Sequence, residues 1–267
     1  MERNGMKPGS PGMNAFSPIL SDSTVREFKI LTYNVHSCVG TDRRLDPNRI
    51  ADVIAETGAD IIALQELDVG RKRTGGVDQA HVIASLLKME AHFHPALHVE
   101  KEKYGDAIIT ALPTQLMKAG PLPSVGEMRG AIWVRVEMAG FSFNVLNTHL
   151  GLRNVDRVRQ AATLLGEEWI GSAEFQAAPA IICGDFNAIP SSPDYKHIAR
   201  QFRDIQLLTG PKVRPTYPSR FPLLRLDHIF VSEGLGVPAS SVVSTPLARR
   251  ASDHLPLLAT IIYSHRL

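Results

Sequence analysis

Six times along this chain a short apolar run closes on a cluster of Asn, Asp, Glu or His. The segments are TYNVH (32–36), IIALQE (61–66), VLNTHLG (145–151), IICGDFN (181–187), RLDHIF (225–230) and ASDHLP (251–256). A lone Asn or Asp after a strand is an ordinary turn residue. Six such clusters demand a fold that brings many strand ends to one edge. Polar groups beside apolar strands are costly to bury unless paired or bound to a metal, and loops at the edge of a rigid sheet are where catalytic groups sit.

The intervening pattern mixes strands and helices. Residues 28–33 alternate and are rich in β-formers, 60–64 and 180–183 are short apolar runs, and 107–110, 226–231 and 257–263 also read as strands. Residues 131–138 and 141–146 read as a hairpin turning at Ala139-Gly140. In 47–56, Ile50, Val53 and Ile54 have helical spacing, with Asp46 as N-cap and Gly58 past the end. Residues 79–88 and 156–170 also read as helices. Hairpins among crossovers predict an α/β chain with mixed sheets and flanking helices rather than a purely parallel fold. No internal linker divides it, so residues 25–267 are expected to form one domain. Residues 1–24, rich in Gly, Pro, Ser and Asn, read as a disordered lead-in.

Composition removes several function classes. The chain is 44% hydrophobic and 21% charged, enough for a packed core. It has no uninterrupted apolar stretch of the roughly 18 residues a membrane span needs. Cys38 and Cys183 are too few for a disulfide scaffold or a Cys-rich zinc site. No apolar secretory core follows the N-terminus, which leads to the expectation of a cytoplasmic protein. A monomer is expected. The net charge of +2 neither requires nor excludes a nucleic-acid partner.

The polar clusters suit phosphoester hydrolysis. Carboxylate and amide oxygens are hard ligands for Mg²⁺ or Mn²⁺, and Glu66 and Asn34 are natural candidates. No HExxH pair supports zinc, no GxSxG a serine nucleophile, and no GxxxxGK[ST] a P-loop. Phosphoryl chemistry needs a group to orient or deprotonate water, donors for developing charge, and a metal on phosphate oxygens.

Asn34, Gln65-Glu66, Asn147-Thr148-His149, Gly184-Asp185-Phe186-Asn187, Asp227-His228 and Ser252-Asp253-His254 together resemble the endonuclease/exonuclease/phosphatase superfamily, in the family's order and over nearly the whole folded chain. Residues 214–232 with His149 to Arg153 look closest to an uncharacterised bacterial branch. The resemblance implies a four-layered α/β sandwich, two mixed β-sheets face to face with helices on both outer faces. It implies that Glu66 binds the metal with help from Asn34, and that Asp253 lies beside it as a second ligand. Asp185 would orient or deprotonate water, with Asn187 placing it. His254 would contact the scissile phosphate, kept protonated by Asp227, and His149 would stabilise charge on the phosphate or leaving oxygen. His36 stands where the repair nucleases carry Asp, so it reads as a phosphate contact as readily as a ligand. Arg129, Arg153 and Arg157 could reach substrate oxygens, although Arg157 reads more readily as a solvated helix charge. His228 reads as packing or as part of the site, Asp106 as support for the site or a turn residue, and Arg71-Lys72-Arg73 as a phosphate loop or a solvated one.

The expected function is a Mg²⁺-dependent phosphodiesterase attacking P–O bonds with water. Its substrate could be nucleic acid, a phospholipid head group or a small phosphorylated metabolite, and a phosphomonoesterase would differ only in pocket depth. A non-catalytic binding module on the same fold is the alternative, and the completeness of the motif set weighs against it. For a lipid substrate the only apolar candidates are residues 221–224 and Phe93, which read as core.

Overall fold

The computed structural model describes Met1 and residues 25–264; apart from Met1, the expected lead-in lies outside the described residues. The chain runs β1 (Val25–Asn34), α1 (Pro47–Ala55), β2 (Ile61–Val69), α2 (Gln79–Leu87), β3 (Glu90–Val99), β4 (Glu102–Thr110), β5 (Thr114–Leu122), β6 (Arg129–Met138) and β7 (Phe141–His149). It continues through α3 (Asn154–Leu165), α4 (Ala173–Gln176), β8 (Ala180–Asp185), α5 (Pro193–Ala199), β9 (Arg203–Asp204) and α6 (Ile205–Leu208). It closes with β10 (Asp227–Val231), β11 (Leu235–Val242), α7 (Pro246–Ala251) and β12 (Leu257–Ser264).

The strands form two six-stranded sheets, ordered β11-β12-β1-β2-β4-β3 and β5-β6-β7-β8-β10-β9. Each has one parallel pair, β1 with β2 and β7 with β8, among antiparallel neighbours. The sheets pack face to face, with Phe28 of β1 stacked on Phe143 of β7 at 4.6 Å. Period-two alternation sorts side chains between layers. On β10, Ile229 and Val231 enter the core between the sheets, while Phe230 joins the layer under α3 and α5 with Trp133, Leu164, Phe175 and Tyr195. The helices α1, α2 and α7 cover the first sheet, giving the expected four layers. No helix among the described residues is long and apolar enough to cross a membrane.

Local chemistry explains the element ends. The Asp46 carboxylate accepts the Arg49 N–H at 3.0 Å, with Pro47 at the first position of α1. Besides the two-residue β9, the strands absent from the sequence reading are β3, β5 and β11. Each carries a proline (Pro95, Pro121, Pro238) and each is an edge strand, where a missing N–H is tolerated. The helical pattern over 156–170 is helix only to Leu165. The chain turns at Gly166, and Trp169 and Ile170 pack under the second sheet.

Candidate active site

The C-terminal ends of both parallel pairs point to the same edge. In the first sheet Asn34 stands opposite Gln65, and in the second His149 stands opposite Asp185. Asp227 opens β10 directly across from Asp185. The turn at 252–254 is pinned to β1 by Ser252 Oγ donating to the Asn34 carbonyl at 2.8 Å. The resulting cleft, about 410 Å³, is lined by His36, Glu66, Arg129, His149, Asp185, Asn187, Asp253 and His254, among others.

Glu66 reaches the cleft through a bulge. Between Leu64 and Leu67 the pairing of β2 with β4 slips, so Gln65 and Glu66 together oppose Asp106. Glu66 adopts φ +63°, a left-handed backbone that is uncommon for a residue with a side chain. Asp106 lies mid-strand, not in a turn, and burial pushes its carboxyl up to about 8. In the second sheet Gly184 (φ +143°) must be glycine, because a Cβ would fall 1.8 Å from the Thr148 carbonyl oxygen of β7.

Asp185 sits at the centre. Its Oδ2 accepts from Asn34 Nδ2 at 2.9 Å and its Oδ1 from the Asn187 N–H at 2.9 Å. His149 Nε2 lies 3.4 Å and His254 Nε2 3.7 Å from Oδ2. Burial raises the Asp185 carboxyl to about 6, with Asp227 adding to the rise and His254, Asn34 and Asn187 opposing it. The second hydrogen of Asn34 Nδ2 goes to Glu66 Oε1 at 2.9 Å, so this amide bridges the two carboxylates. The Asn34 amide oxygen accepts the His36 N–H at 3.0 Å.

The two histidines carry opposite charge states. Burial opposes a charge on His254, but Asp227 Oδ2, 2.9 Å from its Nδ1, and Asp185 together raise it to about 10. His254 is therefore an imidazolium at neutral pH. His149 has Asp185 Oδ2 3.4 Å away, but burial first and then the cations Arg129 and His254 carry its pKa well below the ordinary value. It is neutral, and Asn187 Nδ2 donates to its Nε2 at 3.1 Å. Asn187 also donates to the Leu150 carbonyl at 3.0 Å.

The remaining candidates divide. Asp253 pairs with His36 at 2.9 Å; burial pushes its carboxyl up, but His36 and His254 more than offset this and leave it lowered. Arg129 is buried, donates to the Leu150 carbonyl at 3.2 Å, pairs with Glu127 at 3.0 Å, and keeps a buried Nη1 with no partner among the described residues. Arg153 and Arg157 do not line the cleft. Arg157 is engaged with Asp194 at 3.1 Å and the Leu152 carbonyl at 2.6 Å, which ties α3 to α5. Arg73 grips Asp68 through two bonds and lines the cleft wall, stacked over Tyr104 at 5.5 Å. His228 points away from the cleft, with Nε2 2.8 Å from the Ala188 carbonyl and its ring among Phe186, Tyr195 and Phe230. Tyr104, which stands with Asp106 in the sequence, lines the cleft, as do Glu127, Tyr217 and Leu152, the last three not singled out in the sequence. The Tyr217 ring packs 4.8 Å from that of His254. Neither Glu127 nor Tyr217 follows an apolar run, so nothing local marked them.

Two groups of side chains place potential ligand atoms within 4.8 Å of one another: Glu66, His149 and Asp185, and Asp185, Asp227 and His254. In the second, His254 carries protons on both nitrogens at neutral pH and would have to give one up to ligate. The first offers two carboxylates and a neutral imidazole nitrogen, a donor set that fits a divalent cation.

Comparison with known proteins places the chain in a family. The model of the Endonuclease/Exonuclease/phosphatase family matches residues 31–254, and the chain belongs to that family. It is 30% identical over 256 residues to the Escherichia coli protein YbhP, covering 88% of this chain and 96% of YbhP. A family member of known structure from Bacteroides thetaiotaomicron superposes with a TM-score of 0.73 at 20% identity, over 90% of this chain and 98% of the other. The mannosyl-6-phosphatase of the same organism gives 0.72 at 20% identity, over 88% and 100%. The family comprises hydrolases of phosphoesters, phosphatases and nucleases among them, that are generally dependent on divalent metals.

Proposed function

We propose that this protein is a phosphodiesterase dependent on Mg²⁺ or Mn²⁺. The observation that carries the reading is the pairing of Asp185, a buried carboxylate with a basic lone pair, with His254, a buried imidazolium 3.7 Å away. Both values are raised, but at neutral pH Asp185, at about 6, is open to a proton while His254, at about 10, still holds one, which is the division that base and acid roles need.

Asp185, steadied by Asn34 and the Asn187 N–H, takes the proton of an attacking water as that oxygen bonds to phosphorus and the P–O bond to the leaving group breaks. His254, locked by Asp227, donates to a phosphate oxygen and stabilises its growing charge. Arg129 holds a fixed positive charge at the cleft wall. His149, being neutral, supplies no charge, and its Nε2 lone pair, which accepts from the Asn187 amide in this structure, would be given up to a bound cation. Glu66, with Asp185 and His149 beside it, would hold the divalent cation, which when bound supplies a Lewis acid for the phosphate oxygens. Asp253 is committed to His36 and reaches the cation only if that pair opens.

The test is hydrolysis of bis-nitrophenyl phosphate and nitrophenyl phosphate by purified protein with Mg²⁺, Mn²⁺ or chelator. Nucleic acids, phospholipids and sugar phosphates extend the panel, since one structural relative is a mannosyl-6-phosphatase. Turnover of the diester with metal, abolished by chelator and by Glu66→Gln, is expected. Full turnover in chelator would overturn the reading.

A further inference from the structure

Residues 221–224, expected in the core, stand out from the molecule on a turn that begins at Tyr217. Phe221 and Leu223 are each 78% exposed, and Leu224 is exposed beside them. The turn that holds them is tight. The Leu223 and Leu224 N–H groups both donate to the Tyr217 carbonyl at 2.8 Å, and the Phe221 N–H donates to the Pro218 carbonyl at 3.1 Å. Its base is tied to the active-site edge, with Ser219 Oγ donating to the Ser252 carbonyl at 2.7 Å and the Ser219 N–H to the Asp253 carbonyl at 2.6 Å. Two bulky apolar side chains are thus presented rigidly, at the lip of the cleft, where folding alone would favour polar ones.

Beside this tip lies a second cleft, about 490 Å³, lined by Arg44, Arg220, Arg249 and Arg250 with Thr41, Asp42 and Pro246. Its one acid, Asp42, is bound by the buried Arg49 through two hydrogen bonds, of 2.7 and 3.2 Å. The Arg44 and Arg250 side chains are exposed and make no hydrogen bond or ion pair among the described residues. Arg220 ties the tip to the 36–46 loop by donating to the Thr41 carbonyl at 3.0 Å. Arg220 is adjacent to Phe221, and Arg250 is three residues from Asp253 of the catalytic cleft, at most about 11 Å of chain. Unpaired positive charge and exposed apolar bulk therefore share one rim.

From this juxtaposition we propose that the rim formed by Phe221, Leu223 and the arginine cleft docks the protein on an anionic lipid surface, with the catalytic cleft beside the head groups. Apolar side chains enter the acyl boundary while the arginines meet lipid phosphates. Aliphatic Leu223 and Leu224 cannot stack on bases, which favours a bilayer over a single-stranded nucleic acid. The fixed turn loses little conformational freedom on docking. This surface does not depend on the hydrolytic reading, since binding is measured without turnover.

The experiment is co-sedimentation of the full chain, in chelator, with vesicles of phosphatidylcholine alone and of phosphatidylcholine mixed with phosphatidylglycerol. Binding to the mixed vesicles alone, weakened by salt, is expected. Phe221→Ser with Leu223→Ser should lower that binding by roughly tenfold or more, and Arg44→Glu with Arg250→Glu by a similar factor. Both double variants should melt as the wild type does and hydrolyse soluble bis-nitrophenyl phosphate at the unaltered rate. No binding to the mixed vesicles would overturn the proposal. So would binding insensitive to Phe221 and Leu223, or an arginine-dependent preference for an oligonucleotide over the vesicles.

Discussion

The two sheets share one directional pattern, with a parallel pair at the third and fourth positions, yet they end in different chemistry. In the second sheet β8 runs without a bulge to Asp185, whose side chain is 1% exposed. In the first, β2 bulges and turns Glu66 outward, leaving it 24% exposed. A sealed carboxylate holds a proton longer than usual and suits a base. A carboxylate open to water suits an ion that must enter and exchange its hydration. The same topology yields both because β2 carries an extra residue at Gln65-Glu66 and β8 does not. Specialisation here lies in a local backbone feature.

The strongest way to break this contrast is Asp185→Asn, which keeps the shape and removes the proton acceptor. The diesterase rate should fall by ~10²–10⁴, while neutral-pH stability holds or rises because a desolvated charge is gone. If the variant unfolds and its folded fraction keeps the wild-type specific rate, Asp185 is a turn residue and not a base.

On the first sheet, Mg²⁺ or Mn²⁺ should raise the melting temperature, since an ion that binds only the folded site stabilises it. Calorimetry of Glu66→Gln should show that rise reduced or lost. An undiminished rise would place the cation elsewhere.

The pH dependence sharpens the comparison. The folded pKa of His254 is raised to about 10 from 6.5, so its contribution to stability is full below about 6.5 and lost as pH rises through about 10. For Asp185 the raised value, about 6 against 3.8, favours the neutral form in the fold, so stability in chelator falls as pH rises from about 4 to 6. Asp227→Asn should move the alkaline limb of the rate profile from near 10 toward neutrality. A limb that stays in place would assign it to another group.

The smallest effect is expected between the sheets. Gln65 Nε2 donates to Asn147 Oδ1 at 2.7 Å, and Asn147 Nδ2 donates to the Leu64 and Ala107 carbonyls at 2.9 Å each. Asn147→Leu strands these partners and should cost about 1–3 kcal/mol in denaturant melts. The specific rate of the folded fraction should change little, because neither amide faces the cleft.

The clusters that close β1, β2, β7 and β8 were legible in the sequence because each polar residue follows an apolar run that can only be a strand. What was hidden depended on the third dimension. Whether His228 faces the cleft turns on strand register, and the commitment of Arg157 to Asp194 on how α3 meets α5. His149 and His254 look alike in sequence; their charge states differ because the Asp227 carboxylate is bonded to His254 at 2.9 Å, whereas His149 is buried with Arg129 beside it. The exposure of Phe221 depends on a turn closed by hydrogen bonds that residue types do not announce.

On β10, Asp227 faces the cleft and His228 the helical layer, adjacent residues on opposite faces of one strand. That alternation limits how the gene can change. Inserting or deleting a single codon just before Asp227 would send the imidazole of His228 toward Asp185 and bury the carboxylate of Asp227 among Phe186, Tyr195 and Phe230. Substitutions in this strand can be sampled one at a time, but changes of length cannot, so lineages of this protein should vary in the loop before β10 only by changes that leave Leu226 and Asp227 in step.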